Sequence, residues 1–273
     1  MNLFDAILVD PILNVLLFIY HILFMLNTPY ALGFSIIVLT VIIRFVLYPL
    51  TTAQLKATKK MQDLNPHISK IKDKHKGDAK TIQAETMKLY KEFGVNPAAG
   101  CLPVLIQLPV IWGLYSVLIK VINLGANTVA EVNKLAYSDF LKISKPWDVY
   151  FLGIPLAQNP SHLMSTLGPT VLLIPLLTGV FQFIQSKMML TSAPKKEDAK
   201  LVKDGKKPDD FAASFQKQSL YIFPIMIGFL SYTFPIGLSL YWNTFTIFGI
   251  IQQYKISGPG GLLEWKEKIW QKK

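Results

Sequence analysis

Five apolar windows, each near the length of a bilayer crossing and divided by lysine-rich segments, constrain this 273-residue chain more than any other feature. A crossing of the hydrocarbon core takes about 20 largely apolar residues. The clearest is ALGFSIIVLTVIIRFVLYPL (31–50), with Arg44 as its one charge and Pro49 near its end. The windows predict spans over 31–51, 100–123, 167–190, 218–233 and 235–254, the last two joined by a turn at Pro235 and Gly237. Charged residues make up 16% of the chain, against about 25% in soluble domains. Helices satisfy their own backbone hydrogen bonds in lipid, so the expected fold is an all-α polytopic membrane protein, read as one domain over 1–273.

Lysine placement orients the spans. Segment 52–98 holds ten lysines, 191–217 seven and the tail 255–273 five, while 124–166 holds three and 1–30 none. Cytoplasmic loops carry the excess of Lys and Arg. The expected topology has the N-terminus outside, the C-terminus in the cytoplasm, and 124–166 as an external segment, in a bacterial plasma (inner) membrane. The formal charge of +11 then reflects orientation rather than specific nucleic-acid binding. The first residues lack a basic region and a small-residue cleavage site, so the chain is expected to be a complete bacterial product.

Residues 10–27 form a further apolar run that contains Asp10, Asn14 and His21. An external N-terminus leaves no place for another full span, so this run is expected to be an amphipathic interfacial helix on the outer face. In 52–98, Leu64, Ile68 and Ile71, and again Ile82, Leu89 and Phe93, recur at helical spacing. They predict a cytoplasmic helical hairpin turning at Gly77-Asp78 and ending near Gly94. Segment 191–217 is expected to be a polar cytoplasmic loop.

Arg44 is the most informative residue. An arginine within a span costs about 2.5–3.5 kcal/mol on insertion scales and usually faces the protein interior or a water-filled cavity. Thr40, Arg44, Tyr48 and Thr51 follow at helical spacings and predict one polar stripe. Gln107 interrupts the second span, Thr178, Gln182 and Gln185 share a face of the third, and Ser239, Asn243 and Thr246, with Trp242 beside them, mark the fifth. Taken singly, such residues bond between packed helices. Together they predict a shared polar groove lined by Arg44, Thr40, Tyr48, Gln107, Gln182, Gln185, Ser239, Trp242 and Asn243. No acidic residue lies in the five windows, which leaves Arg44 free for an acidic guest and argues against a proton relay. No nucleophile–base pair or metal-spaced cluster occurs in the spans, and all four histidines lie outside them. No enzymatic activity, metal or cofactor is expected. Cys101, the single cysteine, is expected to pack at a helix start.

Several ordered motifs add a resemblance. GFSIIVLTVIIRFVLYPLT, KMQDLNPHISKIKDK, VNPAAGCLPVLIQLPVIWGLY, FIQSKM and FPIGLSLYWNTFTIFGIIQQ resemble the YidC/Oxa-type insertases from about residue 10 to 255. The resemblance implies five core helices around a hydrophilic groove, open to the cytoplasm and to lipid, with Arg44 at the family's groove arginine and Thr40, Gln185 and Trp242 lining it. It implies insertion and folding of nascent membrane proteins, alone or beside the Sec translocon. The hairpin and loops would lie near ribosomes or signal-recognition targeting factors. The alternative is a small-solute transporter or channel, disfavoured by the missing inverted repeat and intramembrane acids.

Overall fold

The computed structural model describes residues 3–75, 78–96, 102–123, 128–189 and 211–263. Cys101, the hairpin tip at Gly77, most of the 191–217 loop and the end of the tail therefore lie outside the described residues. The described chain is mostly helical and divides into two compact units, Met1–Tyr48, Val104–Gln182 and Ile225–Phe248 in the first, Pro49–Pro103, Phe183–Pro224 and Gly249–Lys273 in the second.

The first unit opens with a π-helical stretch, Asp5–Val9, that runs into α1 (Asp10–Met25). A short turn leads to α2 (Ala31–Val46), which packs along α1. The run Asp5–Met25 is apolar and long enough to cross a membrane. Two of its polar residues face the protein and several of its apolar residues lie outward. Asp10 and Asn14 are buried, whereas Val15, Phe18, Ile22, Phe24 and Met25 are exposed. Asn14 points inward because it ties the chain together: its Nδ2 donates to the Asp10 and Leu135 carbonyls, and its Oδ1 accepts from the Tyr137 N–H at 2.7 Å.

The expected span over 31–51 ends early. The Leu47 N–H closes α2 on the Ile43 carbonyl, and α3 (Tyr48–Asp63) begins one residue later. Pro49 accounts for the break: it lacks an N–H and disfavours helical geometry in the residue before it, yet fits a helix's first turn. The stripe proposed from spacing is thereby cut, and Thr40 and Arg44 alone share α2.

In the second unit, Pro66 opens α4 (Asn65–Lys74), which pairs with α5 (Ala79–Glu92). Segment 52–98 is thus the rest of α3 followed by a hairpin of α4 and α5, one helix more than a simple hairpin. Asp78 caps α5 by accepting from the Thr81 N–H and hydroxyl, and these bonds hold its carboxyl below the usual range. His75 Nε2 lies 3.2 Å from Glu85 Oε2 across the hairpin.

Helix α6 (Leu102–Asn123) carries Pro109. The segment expected only as external chain holds α7 (Thr128–Leu135), a two-stranded antiparallel ribbon of β1 (Tyr150–Phe151) and β2 (Ile154–Pro155), and α8 (Pro160–Leu167). Asn133 clamps this segment through both the Ile143 N–H and carbonyl, and the Trp147 indole donates to the Val121 carbonyl at 3.0 Å. Gly33 lets the ribbon meet α2: a Cβ there would fall 2.1 Å from the Phe151 ring.

Helix α9 (Leu173–Met189) follows a 3-10 turn at Gly168–Leu172, so the third helical run is longer than 167–190. Pro160–Met189 joins Asp5–Met25 as apolar and long enough to cross a membrane, and Ala31–Val46 with Tyr48–Asp63 qualify if counted as one broken span. Shorter apolar helices, Leu108–Val121 and Leu220–Thr233, fall in two further windows. Helix α10 (Phe211–Thr233) begins before the expected 218 and contains Pro224. Helix α11 (Ile236–Ser257) has length but not sufficient hydropathy, because Asn243, Gln252, Gln253 and Lys255 lie along it.

The core of the first unit joins α1, α2, α6, α8 and the start of α11 through Leu13, Leu17, Leu32, Leu118, Leu163 and Tyr241. Bonds in the second unit are largely polar. Gln62 donates to the Met189 carbonyl, and Gln252 donates to Thr51 and Thr52 at 2.7 and 3.1 Å. Gly260 has φ +52°, and a Cβ on it would lie 2.0 Å from the Met188 carbonyl oxygen. The backbone turn can approach α9 only because no side chain intervenes.

Candidate functional site

Arg44 sits in the last turn of α2, whose other residues from Ile36 to Val46 are apolar except Thr40. Its side chain is 5% exposed. Nε donates to the Phe245 carbonyl at 3.1 Å, and Nη2 donates to the same oxygen. Cζ stands 3.4 Å from the centre of the Phe245 ring and 5.8 Å from that of Phe248. Phe45 meets the Phe248 ring edge-on at 5.2 Å. The guanidinium makes no ion pair among the described residues, but it is not the unpaired cation expected from composition.

These contacts have a clear physical sense. A buried charge without partners is strongly disfavoured. A carbonyl lone pair and an aromatic face both attract a cation, and a desolvated cation–π contact contributes about 2 kcal/mol. Neither carries a full negative charge. The side chain is thus held in place while its charge stays unneutralised. A carboxylate reaching this point would make a charge-assisted, often bidentate pair, and it would compete with a neutral acceptor. Among the described residues, no group of three His, Cys, Asp or Glu side chains is arranged to hold a metal ion.

The other predicted lining residues separate into distinct settings. Thr40 is fully buried, and its hydroxyl bonds the Ile36 carbonyl of its own helix at 2.6 Å. Ser239 is 2% exposed. It lies 2.8 Å from Ser231, which lies 3.2 Å from Thr178, so three hydroxyls link α9, α10 and α11. Both hydroxyls bond within or between helices, as hydroxyls in membrane helices commonly do. Trp242 is half-buried against the core. Asn243 is half-buried, and its buried Oδ1 has no hydrogen-bond partner among the described residues. Tyr48 and Gln182 are half-buried in the first unit and Gln185 in the second. The Gln107 side chain lies outside the described residues.

Sequence reasoning missed Phe245 and Phe248. They are one helical turn apart, and Phe245 lies near Tyr241, whose ring it meets at 5.8 Å. Aromatic residues at that spacing are ordinary in a packed helix, so no signal in the chain distinguished them. Gln252 was also missed as a partner of Thr51, because 201 residues separate the two.

The chain matches the 60Kd inner membrane protein family over residues 23–259. It belongs to the YidC/Oxa-type insertase family. A protein named membrane protein insertase YidC in Fusobacterium nucleatum is 34% identical over 89% of this chain and 98% of that protein. A protein of the same name in Oceanobacillus iheyensis is 32% identical over 83% of this chain and 75% of the other. The chloroplastic inner membrane protein ALBINO3 of Arabidopsis thaliana is 32% identical, and the match covers 48% of its length. Among solved structures, the active YidC insertase with its first transmembrane domain resolved aligns with TM-score 0.59 at 25% identity, covering 93% of this chain and 47% of that one. Membership makes the chain an insertase-family membrane protein with transmembrane helices, as the resemblance of its motifs implied.

Proposed function

We propose that this chain inserts nascent membrane proteins into the bilayer and assists their folding, without covalent catalysis. The observation that carries the reading is the Arg44 guanidinium, held on an apolar helix by a carbonyl and aromatic rings in a chain of the insertase family. A substrate must move a short polar tail across hydrocarbon, where its backbone and side chains lose water. A polar groove containing Arg44 shortens that path and attracts acidic residues of the tail. Attraction between charges grows as surrounding polarity falls, so Arg44 is most effective where water is scarce. Its bonds to Phe245 re-form as the tail leaves and the apolar segment passes into lipid.

The same reading assigns Tyr48, Gln107, Gln182, Gln185, Trp242 and Asn243 to contacts with the passing chain, with Thr40 and Ser239 supporting the helices around it. The protein acts in a bacterial inner membrane, N-terminus outside and C-terminus in the cytoplasm, alone or beside the Sec translocon. The α4–α5 hairpin and the cytoplasmic loops meet the ribosome or signal-recognition targeting factors. Expression of the chain in a bacterium depleted of its own insertase tests the function. Restored growth and restored insertion of a single-span reporter are expected. Stable accumulation of the chain in the membrane with neither restored would overturn the reading.

A further inference from the structure

We propose that a cavity beside the α1–α2 turn binds the phosphate headgroup of a phospholipid. The cavity holds about 320 Å³, near the lower end of the roughly 300–1,000 Å³ usual for ligand pockets. One wall is the end of α1 and the start of α2, with Tyr20, His21 and Tyr30; the other is the segment carrying Lys142, Ser144 and Lys145.

Its donors suit a phosphate diester. Lys145 is exposed and has no ion-pair partner among the described residues. Lys142 donates to Asp139 at 2.6 Å, and that contact holds the Asp139 carboxyl below its ordinary range. A phosphate between the two lysines would share Lys142 with Asp139 and take Lys145 outright. Asp148 also lines the cavity, but its Oδ1 accepts from the Tyr150 N–H at 3.0 Å. Ser144 and the two tyrosine hydroxyls add neutral donors. Tyr30 has φ +56°, a left-handed conformation uncommon outside glycine that is found at ligand clamps.

The flank of the cavity selects a lipid over a free anion. Phe24 is on its wall, and Phe24, Met25 and Leu26 are 56%, 66% and 70% exposed. A polar floor beside an apolar flank matches a headgroup continuing into acyl chains. The turn between two apolar helices belongs at a membrane edge, and a Tyr- and Trp-rich belt is typical of that depth. Tyr20 meets Trp147 edge-on at 5.3 Å just beside the cavity.

The test uses the delipidated full chain in detergent and counts bound phosphatidylglycerol by native mass spectrometry. Lys142→Gln with Lys145→Gln is expected to weaken retention about tenfold. Lys145→Gln alone, at an exposed position, is expected to weaken it about threefold with the thermal unfolding midpoint unchanged. Ser144→Trp should fill the cavity and remove the bound lipid. Diacylglycerol should not be retained, and glycerol phosphate at equal concentration should not displace the phospholipid. Wild-type retention by the lysine variants, or equal retention of diacylglycerol, would overturn the phosphate site. Displacement by glycerol phosphate would replace a lipid site with one for a soluble anion.

Discussion

The two units are held together by different means. In the first, Leu13, Leu16, Leu17, Leu32, Leu118 and Tyr241 are within 2% of full burial and form a continuous core. In the second, Gln54, Gln252 and Gln253 are buried beside Leu64, Ile82 and Leu220, and among the described residues glutamines bond over long range to two threonines and a backbone carbonyl. Dense packing matters most where a charge is buried. A buried cation is tolerated only where its acceptors are fixed, and Arg44, Phe245 and Phe248 all belong to the densely packed unit. Each polar bond of the second unit contributes little stability, because hydrogen bonds between membrane helices average only about 0.6 kcal/mol.

The largest expected effect comes from opening the dense core. Leu17→Ala should lower unfolding stability by about 2–5 kcal/mol, since the surroundings relax only partly into the space. Leu64→Ala, at a 5% exposed site of the second unit, should lower it by less than about 2 kcal/mol. Unfolding of both variants in detergent checks the contrast. Equal losses would mean that the units are packed alike.

A smaller effect is expected at Gly260. An alanine there meets both the positive φ and the Met188 carbonyl, and left-handed backbone costs a non-glycine residue about 1–2 kcal/mol. Gly260→Ala should raise protease cleavage near the end of α11 while leaving the first unit protected. Cleavage spreading into α1 or α2 would show that this turn supports the whole molecule.

The smallest effect belongs to Gln252→Leu, which removes both bonds to Thr51 and Thr52. A loss of about 1 kcal/mol or less is expected, read as a shift of a few degrees in the unfolding midpoint. A loss as large as that of Leu17→Ala would make this glutamine a structural keystone and erase the contrast.

Legibility from sequence cut across that division: the hairpin of the second unit was readable from its helical spacing, and several misread details lie in the first unit. Apolar windows located the helices of the first unit, and the intramembrane charge singled out Arg44. Helix ends were less legible. The span over 31–51 was carried through Leu47 because hydropathy continues there, whereas Pro49 restarts the helix. Hydropathy registers Asn14 as a polar position without showing that Leu135 and Tyr137 supply its partners. Spacing placed Thr40 and Ser239 on polar faces, but a face does not say whether a hydroxyl serves a groove or a neighbouring helix. The carbonyl under Arg44 is backbone and leaves no trace in composition.

Arg44, held by neutral acceptors, is proposed to be available to an acidic guest. Insertion of two single-span substrates, matched except for an acidic or a neutral N-terminal tail, measures this directly in cells carrying Arg44→Ala or Arg44→Lys. Arg44→Ala is expected to lose about tenfold for the acidic tail, equivalent to about 1.4 kcal/mol, and clearly less for the neutral tail. Arg44→Lys should keep much of the activity but not all, because an ammonium keeps the charge and loses the planar stacking on Phe245. Equal losses for the two tails would assign Arg44 to hydrating or shaping the groove, and undiminished insertion of both tails by Arg44→Ala would show that Arg44 plays no part in insertion.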